Sequence, residues 1–195
     1  MNSFYSYVPQ KSRPLLQFWI NKLNVKIKIS RPRSTKLGDF KVKRNQMSIS
    51  INNNLNKYSF LITLTHELAH AFVFKKHKNT HRPHDENWQL TFKSLMLNFL
   101  TPDYFPDDIL KVLSRYLIKP KASTYSDLEL VKVLRKYDKL KSFTISDLAF
   151  GDRFKTTQGK TFIKANKIRK RYKCIEITTN KQYLFHPFAQ VIKYS

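Results

Sequence analysis

The sequence predicts an α+β fold, because apolar residues follow two different spacings along it. In the first two thirds of the chain they repeat at helical intervals in some stretches and alternate with polar residues in others. From about Thr144 the chain consists of short alternating segments separated by turn residues such as glycine and asparagine. We therefore expect a mixed helix and sheet domain in residues 1–140 and a small, basic, β-rich unit in residues 141–195.

The first predicted elements are a helix and two strands. Residues 14–23 begin with a proline, which suits the opening turn of a helix, and continue with apolar residues at helical spacing. Apolar residues then alternate with polar ones in 25–29 and 47–51, which predicts two strands. The connection between these strands is basic. It contains Arg31, Arg33, Lys36 and Gly38.

Helices dominate the middle of the chain. Residues 55–74 are apolar nearly all round, as expected of a helix buried inside a domain. Apolar residues at intervals of four, three and four give the next helix, from Trp88 to Phe99, a single apolar face. Two shorter helices are predicted at 105–117 and 126–137, and the second opens with Ser126-Asp-Leu-Glu, which has capping-box spacing.

The formal charge of the 195-residue chain is +24, and glutamate occurs only four times. This charge is far larger than solubility requires, so we expect a polyanionic partner, with nucleic acid first and an anionic membrane surface second. The charge is uneven along the chain. Residues 1–60 contain 12 basic residues and one acidic residue, and residues 141–195 contain 12 basic and three acidic residues. Residues 61–140, which include five of the six histidines, are closer to balance, with 13 basic and nine acidic residues.

Cysteine content and hydropathy indicate the compartment. A single cysteine, Cys174, excludes an internal disulfide and a cysteine-cluster zinc finger, which fits a reducing cytosol. The sequence has neither the pattern of a signal peptide nor an apolar run of membrane-spanning length. We therefore expect a soluble protein of the cytoplasm that does not associate with a membrane and that can associate with the nucleoid. We also expect it to be a monomer.

The predicted buried helix contains the segment His66-Glu-Leu-Ala-His70. Two histidines four residues apart lie on one helix face, about 6 Å apart along the axis, and a single zinc ion can bridge them. Glu67 lies beside them, where a carboxylate can take a proton from metal-bound water as in metallopeptidases. Burying two imidazoles and a carboxylate in an apolar helix is costly without a partner, which favours a metal site over a chance pair of core histidines.

Two histidines on a helix need a third ligand. Lys76 stands where one class of zinc peptidases has its third histidine, so that class is excluded. His77 lies about 10 Å beyond His70 along the helix axis, which is too far to share the ion, and is expected on the surface. His84 is the preferred ligand because it opens the following helix, whose packing would hold it. His81 and Glu86 are its rivals.

These residues resemble the SprT-like family, to which the Spartan proteases of DNA–protein crosslinks belong. The resemblance rests on His66-Glu-Leu-Ala-His70 and on Pro83-His84-Asp-Glu-Asn-Trp88, with 13 residues between His70 and His84. Thr35-Lys-Leu-Gly-Asp-Phe40 and Asn52-Asn-Asn-Leu55 support it, and it covers roughly residues 15–100. It implies a zincin-like metallopeptidase core in which one zinc ion is held by the histidines at 66, 70 and 84, with Glu67 as general base.

Two features depart from the family pattern. Asp85 stands where the family usually has glycine, although aspartate tolerates left-handed backbone angles better than most residues. The single cysteine cannot form the cysteine-rich zinc ribbon with which many members end.

The basic C-terminal unit stands in place of that ribbon. Between Lys164 and Lys173, basic residues interleave with Ile168 and Tyr172, as in a strand or loop that binds the phosphates of nucleic acid. A solvated edge strand protected by lysines is the alternative. The candidate phosphate contacts in this unit are Lys167, Arg169, Lys170, Arg171 and Lys173. A second candidate patch comprises Arg31 and Arg33.

The sequence therefore predicts a zinc-dependent metallopeptidase of SprT-like type that cleaves proteins bound or crosslinked to DNA. The alternative is a basic nucleic-acid-binding protein with a structural or degenerate zinc site and no protease activity. An intact Glu67 favours the enzyme, because a purely structural site has no need of that carboxylate. A third alternative is a peptidase of free proteins whose charge serves solubility.

Overall fold

The computed structural model describes residues 4–33, 36–78, 82–139 and 143–193. The chain divides into two compact units, Met1–Lys139 and Leu140–Ser195. Helices and two small sheets together make the α+β architecture that the sequence predicts. No helix in the described ranges is both long and apolar enough to cross a bilayer.

The sheet of the first unit contains strands β1 (Lys26–Ser30), β2 (Gly38–Lys43) and β3 (Gln46–Asn52) in the order β1-β3-β2. β3 is parallel to β1 and antiparallel to β2. Ile49 and Ile51 of β3 are fully buried. The central strand therefore joins the core, whereas β2 lies at one edge of the sheet.

The structure adds a strand that the sequence analysis does not include, because the second half of the basic connection is β2. Arg44 and Asn45 both have positive φ (48° and 61°) and link β2 to β3 as a two-residue hairpin turn. Only Phe40 and Val42 supply apolar alternation in β2, which is too short a pattern to predict a strand by itself. Pairing with β3 makes it one.

The helices of the first unit are α1 (Arg13–Leu23), α2 (Lys57–His77), α3 (Glu86–Leu97), α4 (Asp107–Tyr116) and α5 (Leu128–Arg135). Short 3₁₀ helices lie at Tyr5–Tyr7, Gln10–Ser12 and Thr124–Ser126. The predicted capping box at Ser126 is wrong. Asp127 caps α5 instead, since its side chain accepts from the Leu130 amide at 3.1 Å.

The central helix is α2, which contacts α1, α3, β2 and β3. Phe60, Leu61, Leu64 and Leu68 are fully buried at successive turns, and every position from Phe60 to Ala69 is buried. This matches the prediction of a helix that is apolar nearly all round, and it places the histidine segment inside the domain.

The second unit is a five-stranded antiparallel sheet in the order β7-β6-β5-β4-β8. Its strands are β4 (Arg153–Thr156), β5 (Thr161–Ile168), β6 (Arg171–Glu176), β7 (Gln182–Phe185) and β8 (Val191–Lys193). A short 3₁₀ helix at Ile145–Asp147 precedes them. The small core of this unit comprises Ile145, Leu148, Phe154, Phe162, Cys174 and Val191.

Candidate metal centre

The helix α2 begins at a well-formed cap. The side-chain oxygen of Asn56 accepts from the amides of Tyr58 and Ser59 at 3.1 and 2.9 Å. Its Nδ2 donates to the Leu134 carbonyl at 2.9 Å, so the same residue joins α2 to the end of α5. The start of the helix is thereby fixed, and with it the position of the histidines three turns later.

Three imidazole rings converge at the middle of α2. Nε2 of His84 lies 3.2 Å from Nε2 of His66 and 3.0 Å from Nε2 of His70. Three nitrogens bound to one tetrahedral zinc at about 2.0–2.1 Å would lie about 3.3 Å apart. The spacing of the rings therefore fits a single metal ion, and within the described ranges these three residues form the group that could hold one.

The surroundings favour the neutral imidazoles that metal binding requires. Burial lowers the pKa of His66 well below its ordinary value, and the neighbouring His70 and His84 lower it further. Burial also lowers the pKa of His84. Because a protonated imidazole cannot be a ligand, these shifts keep the nitrogen lone pairs of His66 and His84 available for a metal.

His84 reaches the other two histidines through a tight turn. The Asp85 amide donates to the Arg82 carbonyl at 3.3 Å, with Pro83 second in this turn and His84 third at a φ of +62°. Proline and then a residue of positive φ are typical of a type II turn. Histidine enters the left-handed region more readily than most residues, so this position tolerates it.

Asp85, at the position where the SprT-like pattern usually has glycine, does not adopt the left-handed backbone conformation that a glycine there would suggest. Its φ is −67°, in the extended region, so the left-handed residue is His84 and not Asp85. The Asp85 carboxylate accepts from the Trp88 amide at 3.0 Å and caps α3. Aspartate is among the best N-cap residues, so the departure from the family pattern stabilises the helix that follows His84.

Trp88 packs against all three histidines. Its ring centroid lies 4.5 Å from that of His66, 5.3 Å from His70 and 4.7 Å from His84, and it is fully buried. On its other side it stacks on Phe92, with centroids 5.1 Å apart and planes 10° apart. The aromatic wall limits how far the three imidazoles can rotate.

The carboxylate of Glu67 is buried against the edge strand β2. The pKa of Glu67 is raised to about 8, chiefly by burial and also by the nearby Asp39. The Phe40 amide, which donates to the carboxylate, and the cations Arg33 and Lys36 act in the opposite direction. A carboxyl group with this pKa titrates close to neutral pH, so its ionised and protonated forms are both populated there, which is unusual for glutamate.

The approach of β2 to Glu67 depends on a glycine. A Cβ added to Gly38 would lie 2.6 Å from Oε1 of Glu67 and 2.8 Å from Cγ2 of Thr63. Both distances are much shorter than van der Waals contact, so only glycine fits without displacing the carboxylate.

The chain before Gly38 is tied to the end of β3. Nε of Arg33 donates to Oδ1 of Asn52 at 2.8 Å, and its Nη1 donates to Oγ of Ser50 at 3.0 Å. Nδ2 of Asn52 donates back to the carbonyls of Arg33 and Lys36 at 3.1 and 3.0 Å. Asn52 is 1% exposed. These bonds hold Arg33 and Lys36 beside the end of β3.

The other candidate ligands are elsewhere. Glu86 is exposed in the first turn of α3, and His77 lies at the last turn of α2. Neither belongs to the three-histidine group. His81 lies outside the described residues.

The predicted phosphate contacts lie in different settings. Arg31 is exposed, whereas the half-buried Arg33 uses its guanidinium within the protein. Most of the C-terminal group lies at the β5–β6 hairpin, whose turn is Arg169-Lys170. The exposed members are Lys167, Arg169, Lys170 and Arg171. Lys173 is half-buried on β6 opposite Leu184.

Sequence reasoning missed the roles of Gly38, Phe40 and Trp88 around the site. One signal was present, since the chain has only three glycines and Gly38 follows no turn sequence. Glycine in a strand often marks a close approach of another group.

The match to known proteins agrees with this geometry. Residues 11–107 match the model of the SprT-like family. The chain belongs to the SprT-like family. The matched segment of this SprT-like protein includes α1, the three-stranded sheet, α2 and α3, and therefore His66, Glu67, His70 and His84. A search of curated proteins found no match to the chain.

Proposed function

We propose that this SprT-like protein is a zinc-dependent metallopeptidase with a zincin-like core, which cleaves proteins bound or crosslinked to DNA. The observation that carries the proposal is the convergence of three ring nitrogens from His66, His70 and His84, with a buried glutamate one residue after the first. Membership in the SprT-like family supports it, because this is generally a metallopeptidase family.

The three histidines would hold one zinc ion. When bound, zinc polarises a carbonyl and lowers the pKa of a water molecule, which are the two things that hydrolysis of a peptide bond needs. The residues present suit zinc, since neutral imidazoles in a buried, aromatic-lined site are ligands of intermediate softness.

Glu67 would act as the general base and then as the general acid. A carboxyl group with a raised pKa can both accept and return a proton near neutral pH, which a glutamate of ordinary pKa does poorly. The Phe40 amide orients the carboxylate, and Gly38 leaves the space that it occupies. A purely structural metal site would have no use for this arrangement.

DNA as the partner is supported by charge. The chain carries +24, and the second unit places a basic hairpin at the end of its sheet. The cytoplasmic location and the monomeric state stay predictions of the sequence.

The test compares the wild-type protein with Glu67→Gln on a basic protein substrate, with and without single-stranded DNA. The amide has the shape of the carboxylate but cannot accept a proton, so cleavage should be lost while zinc content and thermal stability are kept. Glu86→Gln is the matched control, because Glu86 is exposed and is not in the three-histidine group.

Two outcomes would contradict the proposal. Undiminished cleavage by Glu67→Gln would move the general base to another residue. Absence of cleavage by the zinc-loaded wild-type protein on every DNA-bound substrate would favour the alternative of a nucleic-acid-binding protein with a structural or degenerate zinc site.

A further inference from the structure

Phe150 is exposed at a turn that hydrogen bonds hold in place. Its side chain is 65% exposed. The Ala149 amide donates to Oδ2 of Asp152 at 2.9 Å, and the Gly151 amide donates to the Lys164 carbonyl at 2.7 Å. Gly151 has a φ of +88°, which glycine adopts without strain. A single exposed ring is ordinary on a protein surface, so its neighbours decide whether it has a role.

The neighbours of Phe150 are a buried lysine and a tyrosine. Lys164 is only 3% exposed, and its Nζ donates to the Leu148 carbonyl at 2.6 Å. The same Nζ lies 4.1 Å from the ring centroid of Tyr172 and 5.2 Å from that of Phe150. The two ring centroids are 6.2 Å apart. A cation between two rings attracts both, so Lys164 holds Phe150 and Tyr172 together as one aromatic pair.

Exposed cations adjoin this pair on the same hairpin. Lys167 lies opposite Tyr172 in the β5–β6 register, with its Nζ 6.0 Å from the tyrosine ring centroid. The sequence between Arg153 and Ile175 contains no aspartate or glutamate. We call this surface the aromatic–basic face. It comprises Phe150, Tyr172 and Lys167, together with Arg169 and Lys170 of the turn, whereas Arg171 pairs with Ile168 and lies on the opposite face of the hairpin.

We propose that the aromatic–basic face binds single-stranded nucleic acid, with an unpaired base stacked on Phe150 and the backbone phosphates on the cations of the hairpin. An unpaired base offers a ring face to Phe150, whereas the bases of a duplex are already stacked on one another. The charges alone would suit any polyanion, but an exposed ring beside them is complementary to a strand that carries both phosphates and free bases.

This inference rests on the proposed function only in taking nucleic acid as the partner. It adds the form of the nucleic acid and the residue that recognises it. Binding is measured without proteolysis, so a failure of the peptidase proposal leaves this test intact, and a failure here leaves the peptidase proposal intact.

The experiment measures the affinity of the full-length chain for short oligonucleotides at fixed salt. The ligands are a single-stranded DNA, the same strand with abasic positions, a single-stranded RNA, and a duplex of equal length. Phe150→Ala should weaken binding to the intact single strands about tenfold, the typical effect of removing the ring on which one base stacks, and should leave duplex binding unchanged. Phe150→Trp should preserve the affinity for single strands.

Phe143→Ala is the matched control, because Phe143 lies in the same unit and is 53% exposed. It should bind like the wild-type protein. Abasic DNA should bind the wild-type protein as weakly as intact DNA binds Phe150→Ala. Equal losses of affinity on duplex and single strand, wild-type affinity in Phe150→Ala, or full affinity for abasic DNA would each overturn the proposal. A comparison of the affinities for single-stranded DNA and single-stranded RNA shows whether the aromatic–basic face prefers deoxyribose or ribose.

Discussion

Gly38 lies against Glu67 so closely that no side chain fits between them. A Cβ at position 38 would lie 2.6 Å from Oε1 of Glu67 and 2.8 Å from its Cγ. The edge strand β2 therefore forms one wall of the space that holds the proposed general base. The position of this carboxylate depends on a residue 29 positions earlier in the chain, which the spacing of the histidines does not reveal.

The first prediction concerns this contact. Gly38→Ala should displace the Glu67 carboxylate and lower the rate of peptide cleavage about 100-fold, since catalytic groups misplaced by about 1 Å reduce activity on that scale. Zinc content should stay at that of the wild-type protein, because the three histidines lie on α2 and on the turn before α3. Steady-state cleavage and metal analysis provide the two measurements.

Gly159→Ala is the control for the replacement of a glycine. Gly159 has open space around its Cβ position but a φ of +85°, so alanine there should cost about 1 kcal/mol of stability without affecting cleavage. If Gly38→Ala cleaves like the wild-type protein, the contact with Glu67 has no catalytic importance.

The second prediction concerns the metal ligands. His84→Ala should reduce bound zinc from one per chain to a small fraction, because its Nε2 lies 3.2 and 3.0 Å from the corresponding atoms of His66 and His70. Glu86→Ala and His77→Ala should keep the metal. Metal analysis of the purified variants after dialysis decides the matter, and loss of zinc in Glu86→Ala or His81→Ala with retention in His84→Ala would reverse the assignment.

The third prediction separates the two arginines of the N-terminal patch. Arg33→Ala should lower the free energy of unfolding by about 2 kcal/mol, since it removes charged hydrogen bonds to the buried Asn52 and to Ser50. Arg31→Ala should change it by less than about 0.5 kcal/mol, because Arg31 is exposed. Urea unfolding measures both, and equal decreases would contradict this division of roles.

The fourth prediction concerns the salt dependence of DNA binding. Neutralising the exposed cations of the hairpin should flatten the slope of log affinity against log salt by about 0.7–0.9 for each phosphate that the protein no longer neutralises. The residues to replace are Lys167, Arg169, Lys170 and Arg171. An Arg31/Arg33 double variant tests the second patch in the same titration. If all three proteins have equal slopes, neither patch binds phosphates.

The fifth prediction concerns acid stability. The hydroxyl of Tyr137 donates to Oδ1 of Asp108 at 2.7 Å and Nζ of Lys136 donates to its Oδ2 at 3.0 Å, and these bonds lower the pKa of Asp108. The same tyrosine bond raises the pKa of Tyr137 to about 12. A carboxyl group whose folded pKa lies below its unfolded value stabilises the fold at neutral pH, and that contribution is lost as the pH falls through the folded pKa.

Asp108→Asn should therefore reduce stability at pH 7 but flatten the decline of stability below about pH 4 relative to the wild-type protein. The measurement is thermal unfolding between about pH 7 and pH 2. A decline of the same steepness in both proteins would show that Asp108 has no part in acid unfolding.

The sequence by itself determined the elements whose signals are local. An apolar composition around the whole circumference predicts the helix α2, and the spacing of His66, Glu67 and His70 predicts that their side chains lie close together on it. His84 is preferred as the third ligand because it directly precedes a helix with one apolar face, whose packing would hold it in place. Each of these inferences uses residues within a few turns of one another, where helical geometry fixes the distances.

Tertiary structure decided the relationships between residues that are distant in the chain. The contact of Gly38 with Glu67, the bonds of Arg33 to Asn52 and the pairing of Phe150 with Tyr172 each join two different elements. The register of an edge strand against a helix, or of one strand against another, is set by the packing of the whole core. Spacing along the sequence carries no information about that register, because many registers are compatible with the same short alternating pattern.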